Sequence, residues 1–400
     1  LLETLKRHEI IFILHDIFFN IMSTQILCQR QQYMYINELK NCGKNTQALY
    51  NILQMYNVDA NTFYMVEGAI MEMARIPHVA RPTQMIVKVE AASVNPLDTA
   101  MINGYGSNMI NVLRKMDRAE KGIWTQDEIE FPLTVGRDFA GEVVYVGQSV
   151  KNIKVGNKVM GVVSPQAQGS HAEYVVTSEN NVCHLPENIN AIEGSSIPYV
   201  GLTAYSAIVV SGGVTRSNAL GKRVIVLGAS GGVGTFATQL LTAWGAEVRH
   251  IIGLFKSISF SELMKVEGLM WRGSFDLVLD ACGTDDLVYM EALRPWMGSS
   301  YVTLSSPMMR NIDSNGLIPG LFESVRDVLC KNSRTVQEGK VYKWAFYMPN
   351  PIALKEIGKL VSKGMIRPII DKVYPFEDAL DAYDYVLAGN TKGKTVINLL

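Results

Sequence analysis

Hydrophobic and polar positions along this chain fall into two styles. From Gln84, apolar residues alternate with polar or small ones in Met85-Ile86-Val87-Lys88-Val89-Glu90-Ala91, the period-two pattern of a half-buried strand. Phe131 to Val143 and the glycine-punctuated stretch Val144 to Val163 continue this style as short twisted strands joined by tight turns. At Asn190 the pattern changes. Ala191 to Val209 has helical spacing, and Val224-Ile225-Val226-Leu227, Phe275 to Ala281 and Tyr301 to Leu304 are near-continuous apolar runs, as expected of a parallel sheet covered on both faces. Trp344 to Met348 returns to the first style. Phe376 to Ala388 then reads as a helix, and Lys394 to Leu399 as a closing strand.

The run at 224 breaks into Gly228-Ala229-Ser230-Gly231-Gly232-Val233-Gly234, followed by Thr235 to Leu241 with helical spacing. Strand, tight turn and helix in that order form a dinucleotide-binding signature. Gly231 and Gly232 let backbone approach a pyrophosphate, Gly234 lets helix pack on strand, and the helix's free N–H groups face the phosphates. A tight turn that uses glycine for steric reasons alone is the bland alternative; the flanking strand and in-frame helix favour binding.

Composition bounds the rest. Four hundred residues suggest two domains and an appended segment, and 48% hydrophobic residues suffice for two cores. A net charge of −1 with 19% charged residues gives no footprint for nucleic acid. The five cysteines are scattered and never form a CxxC pair, which suggests reduced, mostly buried thiols. Residues 1–64 carry no readable motif. Ile10 to Ile21 is apolar but shorter than the ~20 residues a spanning helix needs, and it resembles neither a transit nor a signal peptide.

The order of motifs resembles the medium-chain dehydrogenase/reductase superfamily: a GroES-like β-rich domain, a Rossmann insertion and a C-terminal return. Asn95-Pro96-x-Asp98, Asn103-Gly104-Tyr105, Gly201-Leu202-Thr203-Ala204 and the 229–234 turn are similar to its quinone oxidoreductase branch. The resemblance covers Gln84 to Leu400 and implies an α/β fold. Residues 65–190 and 345–400 would form the catalytic domain and 191–344 the doubly wound, parallel-sheet cofactor domain. It further implies a mitochondrial setting, a link to ubiquinone metabolism, a quinone or enone substrate, and a homodimer or reticulon-type protein as partners.

Zinc-containing relatives carry Gly-His-Glu where this chain has Gly136-Arg137-Asp138, and arginine has no lone pair to ligate with. The expectation is a metal-free site. The resemblance places Asn95, Asp98, Tyr105 and Thr203 around the nicotinamide, with Tyr105 as general acid or oxyanion stabiliser. The plainer readings are a packing tyrosine, a turn asparagine, and a threonine bonded to its own helix. Cys282 reads as a structural thiol beside the cofactor edge. Gly228, Ser230, Gly231, Gly232, Val233 and Gly234 would hold the cofactor, and the resemblance adds Leu304, Tyr347, Asn390, Thr391 and Lys392.

An NAD site places an acid about 20 positions past the glycines. That count lands near Gly253, where no acid occurs and Arg249 and Lys256 flank the spot, so NADPH is expected. Only 26 residues, 249–274, separate Val248 from Phe275, where the family fits a further βα unit; the sheet should therefore be one unit short, with an exposed edge. The leading reading is a zinc-free NADPH-dependent reductase. An enoyl-thioester reductase and a weakly active cofactor-binding or scaffold protein compete with it.

Overall fold

The computed structural model describes residues 30–36, 69–120, 133–251, 272–285, 287–389 and 391–400. Residues 30–36, unreadable in the sequence, form a strand. β1 (Arg30–Ile36) runs antiparallel to β2 (Ala69–Arg75), with Arg30 opposite Arg75 and Ile36 opposite Ala69. β3 (Gln84–Val94) follows, then helices α1 (Pro96–Ile102) and α2 (Ser107–Glu120) and the short β4 (Leu133–Thr134), which pairs with β1. β5 (Asp138–Val146), β6 (Lys158–Val162), β7 (Tyr174–Ser178) and β8 (Val182–His184) complete the first β-rich stretch. Two register shifts bend the β3–β5 pair. Its inward residues Met85, Val87, Val89, Phe139 and Val143 form one buried core.

The chain then enters α3 (Ala191–Ser195) and α4 (Pro198–Tyr205), which continues through a wider turn of helix to Ser211. β9 (Arg223–Leu227), α5 (Gly232–Ala243), β10 (Glu247–Ile251), β11 (Leu277–Asp280), β12 (Ser300–Thr303), α6 (Met308–Asn315), α7 (Leu317–Thr335) and β13 (Val341–Trp344) follow. Their five strands form an all-parallel sheet in the order β10-β9-β11-β12-β13. The unbroken apolar run of β9 has a clear cause. Val224 and Val226 join the core under α5, while Ile225 and Leu227 join a second core with Val278, Tyr301 and Tyr342 on the other face.

After α8 (Pro351–Ser362) the chain returns to the first sheet through β14 (Ile370–Pro375), α9 (Ala379–Leu387) and β15 (Lys394–Asn398). That sheet has the order β14-β15-β3-β5-β6-β8, with β7 also on β3, so the chain's end lies against strand β3. Residues 345–350 are irregular and make no strand, unlike the sequence expectation for Trp344 to Met348. Of the segment expected to be short of a βα unit, 249–274, residues 252–271 lie outside the described residues, as do Ile10 to Ile21 and Lys256. Among the described residues, no helix is long and apolar enough to cross a membrane.

Candidate active site

α1 begins at Asn95 because Pro96 fixes the first helical residue and the Asp98 carboxylate accepts the Asn95 amide at 2.8 Å. This start places both side chains, each fully buried, at the end of β3. The antiparallel partner strand brings Arg137 and Asp138 to the same place. Asp138 accepts from Ser93 Oγ (2.5 Å) and from Asn95 Nδ2 (3.3 Å). Lys394, the first residue of β15, donates from its buried Nζ to Asn95 Oδ1 (2.6 Å) and to the Val94 carbonyl (3.2 Å). The Arg137 guanidinium donates to the carbonyls of Ser164, Ala167 and Thr134 and lies 3.7 Å from Asp98.

Two cations thus face two carboxylates, which is the balance a buried charged cluster needs. Burial pushes Asp98 up and Arg137 down from their ordinary values, and each opposes the shift of the other. Burial raises Asp138 to about 6 against the pull of Lys394, whose own value burial lowers. Asp98 Oδ1, Asp138 Oδ2 and the Tyr347 hydroxyl are buried without a hydrogen-bond partner. Such atoms fit a site that a polar ligand completes.

His171 extends the cluster. Its Nε2 lies 3.2 Å from the Ser93 carbonyl and its Nδ1 lies 2.9 Å from the Tyr383 hydroxyl. A neutral ring satisfies both contacts, donating to the carbonyl and accepting from the phenol. Burial pushes His171 down to about 3, with Arg137 and Lys394 adding to it and the Ser93 carbonyl opposing. That folded value lies below the unfolded value of about 6.5, so neutral His171 stabilises the fold above about pH 6.5, and this contribution fades as pH falls toward 3. Asp138 has the opposite sign: its contribution is full below about pH 4 and is lost as pH rises through 6. The stability gap between wild type and His171→Gln should therefore narrow when urea unfolding is measured from about pH 7 down to about pH 4. A gap independent of pH would contradict a neutral buried His171.

The glycine turn reaches the same cluster from the second sheet. Gly228 adopts φ 73°, and its amide donates to the Ile251 carbonyl at 2.9 Å. Gly231 opens α5, and the N–H groups of Gly232, Val233 and Gly234 have no acceptor within the helix. The C-terminal segment braces this turn: the Gly393 amide donates to the Ser230 carbonyl at 2.8 Å. A Cβ on Gly232 would come within 2.9 Å of Lys394 Cδ, so Lys394 runs beneath the turn before reaching Asn95. A Cβ on Gly231 would meet only the Gly228 carbonyl, at 3.6 Å, which leaves open space above the turn. Free amides and an open face fit a pyrophosphate.

Of the residues expected from sequence, Asn95 and Asp98 lie in the buried cluster and Gly228 to Gly234 form the turn beside it. Tyr347 stacks on Tyr199 at 4.6 Å, with its hydroxyl unpartnered. The Leu304 amide donates to the Asp280 backbone carbonyl just beyond the end of β12. Thr391 is half-buried; Lys392 is exposed, its amide donating to Asp371; Asn390 lies outside the described residues. Thr203 donates its hydroxyl proton to the Tyr199 carbonyl at 2.7 Å. Tyr105 takes no part in the cluster's hydrogen bonds; its charged neighbours are Arg310 and Asp313.

Cys282 is a correction. Its residue surface is exposed, as is that of Cys330, while only Cys183 of the described cysteines is buried. Its sulfur is partly buried where the residue lies over Gly228 and donates to Asp280, and that partial burial and the carboxylate raise the thiol to about 11. Sequence reasoning assigns no site role to Lys394, Asp138, His171 or Tyr383. A lysine opening an apolar closing strand was the available signal for Lys394. Among the described residues no group of three or more His, Cys, Asp or Glu side chains could hold a metal ion.

Comparison with known proteins agrees with this architecture. Residues 81–187 match the alcohol dehydrogenase GroES-like domain, and residues 258–397 match the zinc-binding dehydrogenase family. The chain is 38% identical to the mitochondrial NAD(P)H oxidoreductase RTN4IP1 of Danio rerio, over 82% of this chain and 86% of that protein. It is 39% identical to the Homo sapiens protein of the same name, over 81% and 84%. A Caenorhabditis elegans relative named reticulon-4-interacting protein 1, mitochondrial, is 30% identical over 82% and 92%. The solved quinone oxidoreductase of Coxiella burnetii shares the fold, with a TM-score of 0.64 at 22% identity, covering 93% of this chain and all of that one. The chain belongs to the family of mitochondrial NAD(P)H oxidoreductases that carry the RTN4IP1 name, within the medium-chain dehydrogenase/reductase superfamily.

Proposed function

We propose that this chain is a zinc-independent, NADPH-dependent reductase that passes hydride to a quinone or a conjugated carbonyl. One observation carries the reading: Lys394 passes beneath the glycine turn and ends on Asn95, so the nucleotide turn and the buried charged cluster form one continuous site. Residues 191–344 act as the cofactor domain, and 65–190 with 345–400 as the catalytic domain. The amides of Gly232, Val233 and Gly234 bind the pyrophosphate, with Gly228, Ser230 and Gly231 shaping the approach. Leu304, Tyr347, Asn390, Thr391 and Lys392 close over the cofactor, which supplies the hydride when bound.

Arg137 supports zinc independence, since a guanidinium held by three carbonyls stands where relatives present a ligand. Exposed Arg249 near the end of β10 favours a 2′-phosphate over a bare ribose diol. Tyr105 serves as proton donor to the reduced acceptor, with Asn95, Asp98 and Thr203 shaping its surroundings. The setting is mitochondrial, as in the relatives. A link to ubiquinone metabolism, a reticulon-type partner and pairing of two copies along β13 extend the same proposal.

Tyr105→Phe should lower quinone-dependent NADPH oxidation about 10²-fold, the usual scale for a lost general acid, while NADPH affinity by fluorescence titration stays unchanged. Unaltered turnover would return Tyr105 to a packing role. The same assay with an enoyl thioester in place of the quinone distinguishes the two acceptor classes.

A further inference from the structure

The turn that carries Tyr105 is tied to the nucleotide half of the molecule by two side chains that bond reciprocally, Asp313 and Asn108. Tyr105 sits between Gly104 and Gly106, both with positive φ (75° and 78°), in the short connection from α1 to α2. This conformation leaves the Gly106 and Asn108 amides facing outward. Asp313, on α6, accepts both: Oδ2 from Gly106 at 2.6 Å and Oδ1 from Asn108 at 3.1 Å. The Asn108 amide group answers by donating to the carbonyls of Ile312 and Asp313, each at 3.2 Å. Four hydrogen bonds thus join residues more than 200 positions apart. Met309 of α6 and Ile110 of α2 pack around Gly106.

We propose that Asp313 is the positioning residue for Tyr105, a latch that holds the phenol-bearing turn at a fixed height against the cofactor half. This assignment rests on the reading of Tyr105 as proton donor. A carboxylate suits the task because its two oxygens take two amides of one turn at once, and charge-assisted bonds of this kind are stronger than neutral ones. Burial and Asp313 together push the phenol above its ordinary value and Arg310 opposes them, so the carboxylate that holds the turn also acts on the phenol it carries.

The test separates the latch from the activity. Hydrogen exchange of wild type and Asp313→Ala is compared at the amides of residues 104–110, with no substrate present. Exchange should quicken there in the variant and stay unchanged in β9 and β11; unchanged exchange at 104–110 overturns the latch whether or not the protein is a reductase. In the turnover assay, Asp313→Ala should lower kcat about tenfold with the KM for NADPH held, and Asp313→Asn, which keeps Oδ1 as an acceptor, should recover part of the loss. Tyr105→Phe should then cost far less in the Asp313→Ala background than in wild type. Additive effects of the two substitutions would show that Asp313 does not act through Tyr105. Should Asp313→Ala fold poorly, Asn108→Ala removes the reciprocal pair of bonds and must quicken the same amides.

Discussion

Gly234→Ala should abolish tight NADPH binding. A Cβ at this position would lie well inside contact distance of the Gly228 carbonyl oxygen and 2.8 Å from the Ala229 Cα, and both obstacles are backbone. Neither can give way without opening the turn, since Gly228 is fixed by the Ile251 carbonyl and packed against Cys282. Loss of even one amide contact to a charged pyrophosphate is worth about 1.5–3 kcal/mol, so affinity should fall at least about tenfold, with a lower thermal midpoint. Gly231→Ala is the informative partner. Its Cβ meets nothing closer than 3.6 Å and its φ of −78° suits any residue, so the free protein should be undisturbed. Affinity should nevertheless drop, because the methyl would occupy the ligand's space. Isothermal titration and thermal melts of both variants give the answer. Tight binding by Gly234→Ala, or by Gly231→Ala at wild-type stability, would remove the turn from the site.

Lys394→Met should be the most destabilising single change within the charged cluster. It leaves Asn95 Oδ1 without its donor and Asp138 without its counter-charge, in a place where both are fully buried. Removing one partner of a buried pair costs about 3–5 kcal/mol, whereas removing both can be nearly neutral. Denaturant unfolding should therefore show that large loss for Lys394→Met, and a substantial recovery in Lys394→Met/Asp138→Asn. The double variant should still lack turnover, because Asn95 has lost the bond that fixes its orientation. A single variant as stable as wild type would mean that the cluster does not depend on Lys394.

The contrast between these two positions explains what the sequence could reveal. The glycine turn is local: strand, turn and helix follow within some 20 residues, and the structure forms them as β9, residues 228–231 and α5. The apolar runs of β9, β11 and β12 are equally legible, because a strand buried on both faces has few polar positions to interrupt its pattern. The Lys394–Asn95 bond joins residues 299 positions apart, and no periodicity carries such a partnership. It follows instead from β15 pairing with β3, which brings the chain's end to the edge of the first strand that the sequence shows clearly. The Asp313 latch is hidden for the same reason. Thr203 takes the plainer of its two readings, its hydroxyl donating to the Tyr199 carbonyl one helical turn back, which local sequence does reveal. Cys282 shows a second limit, because its exposure depends on neighbours from other parts of the chain.

The central claim is that the turn and the cluster together pass hydride from NADPH to an electrophilic acceptor without a metal. The most direct measurement is an anaerobic single turnover of the purified, chelator-treated protein with a short-chain quinone, following loss of the reduced nicotinamide absorbance with NADPH and with NADH. The account predicts one quinone reduced per NADPH oxidised, a clear preference for NADPH, and a rate indifferent to chelation. Reduction that needs added zinc, or a protein that binds NADPH yet reduces neither quinone nor enone, would contradict it.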